Sequence, residues 1–147
     1  MAAERRADVT WRGDLAHGNG TVRFASGAIP ELPVTWASRT ERSEGKTSPE
    51  ELIAGAHAAC FSMAFSNELA QAGTPPTRLD VSAVVTFDQV DGGWKVASSA
   101  LTVRGVVPGL DQAGFAQKAA AAKDGCPVSG ALKGNVALSV DAVLEQG

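Results

Sequence analysis

Apolar and polar residues alternate near both ends of the chain and recur at helical spacing in its middle. Asp8-Val-Thr-Trp-Arg12 and Thr21-Val-Arg-Phe-Ala25 are short β-type runs. Between them, His17-Gly18-Asn19-Gly20 carries the Asn-Gly signal and predicts a turn. Pro30 and Pro33 make the next segment an edge strand or a loop, because proline has no N–H to give to a central ladder. Arg39 to Pro49 is polar and of mixed charge, and reads as a solvated loop. It ends on a helix start. Ser48 suits the N-cap, Pro49 the first helical position, and Glu50 and Glu51 the positive end of the dipole. Ser48 and Glu51 also have capping-box spacing.

The helix that follows carries the clearest periodicity. Leu52, Ala56, Cys60, Met63 and Asn67 recur at steps of four and three and predict one buried face, widened by Ile53 and Ala64. Cys60 is thereby placed mid-helix on the buried side. The helix ends near Gly73, with Pro75 and Pro76 as a stop. Leu79 to Val90 predicts a strand with Val81, Ala83, Val85 and Phe87 on one face. Asp91-Gly92-Gly93 turns the chain, and Trp94 to Val107 returns as a second long strand. Asp111 caps a helix over 112–123, a short helical turn covers 127–133, and 135–144 is a last strand. The order β-β-β-α-β-β-α-β is not the alternation of a doubly wound parallel sheet. It predicts an α+β fold with helices against a largely antiparallel sheet, as one domain over residues 1–147.

The 147 residues are 44% hydrophobic and 20% charged, which excludes a disordered tail and a disulfide-dense miniprotein. No apolar run approaches the roughly 20 residues of a membrane helix, so no membrane association is expected. Met1-Ala-Ala-Glu-Arg-Arg6 is not followed by an apolar signal segment, which leads us to expect a cytoplasmic protein. A net charge of −3 and 5% aromatics give no footprint for nucleic acid. Cys60 and Cys126 are not in a CxxC, and His17 and His57 are not at zinc-ligand spacing, so neither a metal nor a cofactor is expected. In a reducing compartment two such cysteines are either inert buried thiols or a disulfide that cycles in function.

The two sulfurs differ in predicted environment. Cys126 stands just before Pro127 at the N-cap of a helical turn, where a thiolate is stabilised. Cys60 lies among apolar residues, where burial opposes ionisation. A reactive Cys60 needs a cation, and Arg39 and Arg42 are the candidates. His57, one turn before Cys60, reads as a packed helix histidine that is also able to face it. Ser62, Ser66 and Ser129 have no His-Asp arrangement in sequence, which argues against a serine nucleophile. Glu50 precedes Cys60 by ten residues, about 15 Å along a straight helix. If both serve one site, either the first turn is unwound or Glu50 comes from a second chain, which predicts a dimer with shared sites.

Ser48-Pro-Glu-Glu-Leu-Ile-Ala-Gly-Ala-His-Ala-Ala-Cys-Phe-Ser-Met-Ala64 resembles the cysteine helix of the OsmC/Ohr family, and Asp124-Gly-Cys-Pro-Val-Ser129 resembles its second cysteine motif. Trp11-Arg-Gly-Asp14, Gly18-Asn-Gly-Thr-Val22 and Val107-Pro-Gly-Leu-Asp111 are similar to the OsmC branch. The resemblance implies an OsmC-like α+β fold with a long cysteine-bearing helix, in an intertwined homodimer. It implies a thiol peroxidase that reduces organic hydroperoxides and, more weakly, hydrogen peroxide. Cys60 corresponds to the peroxidatic cysteine and Cys126 to the resolving one. Glu50 matches the acidic residue of the family's Pro-Glu motif and Arg39 its arginine. The loop from Arg39 to Lys46 is one residue longer than usual, so Arg42 competes for that role. An external dithiol would reset the site, and related proteins use lipoyl groups on partner proteins. A redox sensor using the same disulfide without turnover is the alternative.

Overall fold

In the computed structural model, which describes residues 1–146 and leaves Gly147 outside, the alternation at the start of the chain becomes a three-stranded antiparallel sheet. Its strands are β1 (Ala7–Arg12), β2 (Asn19–Phe24) and β3 (Leu32–Val34), in that order. Pro33 lies on β3, an edge strand as its ring requires. The first turn differs from the prediction. Asn19-Gly20 opens β2, and the turn is made instead by Asp14, whose carboxylate accepts the His17 backbone N–H at 2.7 Å. Gly20 is there for space: a Cβ on it would lie 2.8 Å from the Trp11 indole. The expected loop from Arg39 is also corrected at its start. Arg39 lies in the last turn of a five-residue helix, α1 (Trp36–Thr40), which Thr35 and Ser38 close with a capping box. So short a helix leaves no periodicity to read.

Helix α2 (Pro49–Gln71) starts where its signals place it. The Ser48 hydroxyl accepts the Glu51 backbone N–H at 3.1 Å. The capping box is only half made, since the Glu51 carboxylate accepts from Thr47 Oγ1 instead, at 2.8 Å. The first turn is wound from Pro49 onward.

The chain divides into two compact units that meet within α2, residues 1–52 and residues 53 onward. The second unit carries a sheet of β4 (Arg78–Val90), β5 (Gly93–Val106) and β6 (Ala137–Glu145), with β5 central, antiparallel to β4 and parallel to β6. Asp91 and Gly92 both have positive φ, as a two-residue hairpin turn demands. The parallel pairing of β6 follows from its crossover through α3 (Gln112–Gly125) and α4 (Pro127–Leu132). Asp111 caps α3, its carboxylate accepting the Gly114 N–H at 2.8 Å.

The core of this unit joins Phe61, Phe65 and Leu69 of α2 to Leu101 and Val103 of β5 and Phe115, Ala119 and Ala122 of α3. The rings of Phe65 and Phe115 lie 5.0 Å apart. The face predicted for α2 is therefore corrected. His57, Phe61, Phe65 and Leu69, at steps of four, are fully buried, while Ala56, Met63 and Asn67 are exposed and Cys60 is half-buried at the border. Both stripes are helical in period. The aromatic one wins the core because it removes far more apolar area from water. The architecture is α+β, with helices packed on sheets that are mostly antiparallel. Among the described residues no helix is long and apolar enough to cross a membrane.

Candidate active site

The four predicted site residues form two pairs, one in each unit. In the first unit Glu50, at the start of α2, is 5% exposed. Its carboxylate accepts from Arg39 Nε at 3.0 Å and from Arg39 Nη2 at 2.8 Å, a fork that lysine cannot make. Arg39 reaches it from α1, eleven residues back, and stays partly open to solvent. Between the two candidate arginines, Glu50 pairs with Arg39; Arg42 is exposed. Arg39 also borders an apolar hollow of about 410 Å³, lined among others by Val9, Trp11, Val22, Phe24 and Leu52. Val9 and Trp11 point to the open side of their strand, 60% and 39% exposed, while Asp8 and Thr10 are half-buried.

In the second unit the other pair meets. Cys60 on α2 and Cys126 at the α3–α4 junction are both free thiols, and each acts on the ionisation of the other. Cys126 is 1% exposed and Cys60 half-buried. Burial pushes the Cys60 thiol up, and Cys126 adds to this. Burial acts upward on Cys126 too, but the backbone N–H of Ser129, the Cys60 thiol and the Ser129 hydroxyl outweigh it and hold Cys126 below the ordinary thiol range. Cys126 makes no side-chain capping bond as N-cap of α4, yet the groups at the start of that helix favour its charged form. The opposite directions expected from helix position are thus present. The Val128 N–H serves both sulfurs.

His57 does not turn to Cys60. Its ring is fully buried, with Nδ1 2.6 Å from Ser99 Oγ on β5 and Nε2 2.8 Å from Ser129 Oγ on α4. Ser129 thus meets a histidine 72 residues away that only the fold brings to it. Ser129 is nonetheless 2% exposed and no carboxylate backs the imidazole, so the group is not a hydrolytic triad. No local sequence pattern marks Ser99 and Ser129 as a pair. No cluster able to hold a metal ion is present among the described residues.

Residues 42–141 match the OsmC family, described as OsmC-like protein. The chain is 43% identical over 138 residues to peroxiredoxin OsmC of Escherichia coli (strain K12), covering 94% of this chain and 96% of that one. It is 33% identical over 91 residues to an organic hydroperoxide resistance protein of Xanthomonas axonopodis pv. citri, covering 61% and 62%. It is similar in structure to the organic hydroperoxide resistance protein OhrB of Bacillus subtilis, with a TM-score of 0.68 and 25% identity over 95% of this chain and 98% of that chain.

Proposed function

Because this chain belongs to the OsmC-like family, we propose that it is a thiol-dependent peroxidase that reduces organic hydroperoxides, and hydrogen peroxide more weakly, through Cys60 and Cys126. The observation that carries the reading is the meeting of two free thiols from distant segments, one accessible and one sealed. The accessible sulfur is the one a peroxide meets, so Cys60 is the attacking residue. Its thiolate bonds to the distal peroxide oxygen, the O–O bond breaks, and the alkoxide leaves as the alcohol after taking a proton from solvent. Cys60 becomes a sulfenic acid. The Cys126 thiolate then attacks the Cys60 sulfur, the S–O bond breaks, and hydroxide leaves and is protonated to water. Cys126 is oxidised, the sulfenic sulfur is reduced, and a disulfide remains. An external dithiol, such as a lipoyl group on a partner protein, resets it by exchange.

Within the second unit ionisation favours Cys126, so Cys60 needs an added positive charge to attack. Arg39, oriented by Glu50, is the cation we assign to it; a guanidinium is always charged and presents several donors. With the first turn of α2 wound, this reading takes Glu50 from a second chain, in a dimer with shared sites. On this reading the two units work as one OsmC-like domain, and a second copy covers the open apolar side of the first.

Turnover is the test. Reduced protein is incubated with excess cumene hydroperoxide and dihydrolipoamide, and peroxide consumed per chain is counted. Many equivalents are expected. One equivalent and no more would make the protein a redox sensor. Cys60→Ser should abolish consumption. Arg39→Ala should lower kcat/KM by at least about a hundredfold, the usual scale for losing one preorganised charge donor; if Arg42→Ala does so instead, the arginine is misassigned.

A further inference from the structure

Cys60 is half-buried at the border of α2 and packs with Ala64 on the core, so a peroxide meets its sulfur from the open side of the helix. Within one turn of Cys60 in either direction, only His57, Phe61 and Met63 are larger than serine. The first two are fully buried: His57 is held between Ser99 and Ser129, and Phe61 is part of the core. Met63 takes no part in the core and is 72% exposed. The rest of that side is trimmed to Ala56 and Ala59, both exposed, and Ser62, whose hydroxyl donates back to the Ala59 carbonyl at 2.8 Å. Helix geometry aims the methionine. Residues three apart share one face, with about 5–6 Å between their Cβ atoms, and long side chains lean toward the helix N-terminus. Met63 therefore leans over the turn that carries Cys60. Its unbranched, polarisable chain fits apolar groups of varied shape.

We propose that Met63 is a specificity-determining residue: its side chain lies along the organic group of a hydroperoxide engaged at Cys60, and so sets the preference for organic hydroperoxides over hydrogen peroxide. The inference rests on the peroxidase reading and names the side chain that selects the substrate within it. An alkyl or aryl group on the proximal oxygen sheds water against the methionine while the sulfur attacks the distal one. Hydrogen peroxide has no carbon to place there and gains nothing. The flexibility of the methionine chain makes the preference one for apolar substituents as a class, whatever their shape. Arg39, by contrast, acts on the charge of the reacting atoms and serves every peroxide alike.

The test follows the first oxidation of Cys60 in the full-length protein without added dithiol, by rapid-quench thiol labelling and mass spectrometry. The peroxides are cumene hydroperoxide, tert-butyl hydroperoxide and hydrogen peroxide. This readout needs no turnover, so it serves equally for a protein that reacts once and stops. Met63→Ala should slow both organic hydroperoxides about tenfold, the scale of a methylene contact in an apolar site, and leave hydrogen peroxide within about twofold. Met63→Leu should keep the wild-type ratio of organic to hydrogen peroxide rates. Met63→Gln, of similar length but polar, should lose that ratio as Met63→Ala does. Hydrogen peroxide is the internal reference, because a loosened dimer or a distorted site slows all three peroxides together. Equal slowing of all three would make Met63 an assembly residue and overturn the proposal, as would a wild-type ratio in Met63→Ala. Should Met63→Ala not fold, Met63→Gln decides on the same ratio. Failure of the peroxidase reading shows separately, as a wild-type protein whose Cys60 is oxidised by none of the three.

Discussion

The buried Glu50 side chain is met by two nitrogens of Arg39, and both ring nitrogens of the buried His57 are met by serines. The first arrangement stores a cation near an apolar hollow; the second spends no charge at all. The folded protein holds His57 below 6.5, while the unfolded chain lets it titrate normally. The unfolded state thus binds more protons as pH falls through the unfolded value, and stability is lost on the acid side. We expect the wild-type Tm to drop between about pH 7.5 and 5.5, and His57→Gln to remove part of that slope. Thermal melts across this range check it; equal slopes would show that His57 charges in the folded state. The two cysteines were legible as residues but not as neighbours, because no periodic signal links positions 60 and 126.

At the scale of elements, the long helix shows why two stripes of the same period are not equivalent. Leu52, Ala56, Cys60 and Met63 are well spaced, but Phe61, Phe65 and Leu69 carry the greater apolar area and take the core. The strands were easier to read, since β4 alternates with period two and half-buries one face along most of its length. The close approach of α3 to its sheet was not readable. Gly105 on β5 makes room for Phe115, and a Cβ there would sit 2.6 Å from the ring. Gly105→Ala should therefore destabilise the protein by about 1–3 kcal/mol through overpacking, measurable by urea unfolding. No loss would mean that the ring gives way freely.

At the scale of the whole molecule, each unit by itself leaves apolar side chains open. The first unit leaves Val9, Trp11 and Leu15 exposed, and the second leaves Met63 at 72%. Scattered exposed residues are ordinary, but a hollow lined almost wholly by apolar side chains is a surface that wants a cover. We expect a homodimer by light scattering. Met63→Glu, which places a charge on the exposed stripe of α2, should shift it toward monomer and lower peroxide turnover with it. A fully active monomeric wild type would remove the shared-site arrangement.

The sequence by itself determined the element types, their order and the capped start of the cysteine helix, because these depend on local periods, caps and turn residues that act within a few positions. It also carried the family's motifs around both cysteines. Only the tertiary structure decided which stripe of α2 is buried, which arginine holds Glu50, that the two sulfurs meet, and that His57 joins Ser99 to Ser129. Those outcomes depend on which side chains compete for one volume and which donors share one acceptor. Such contests are settled between segments many residues apart, so no local pattern records the winner.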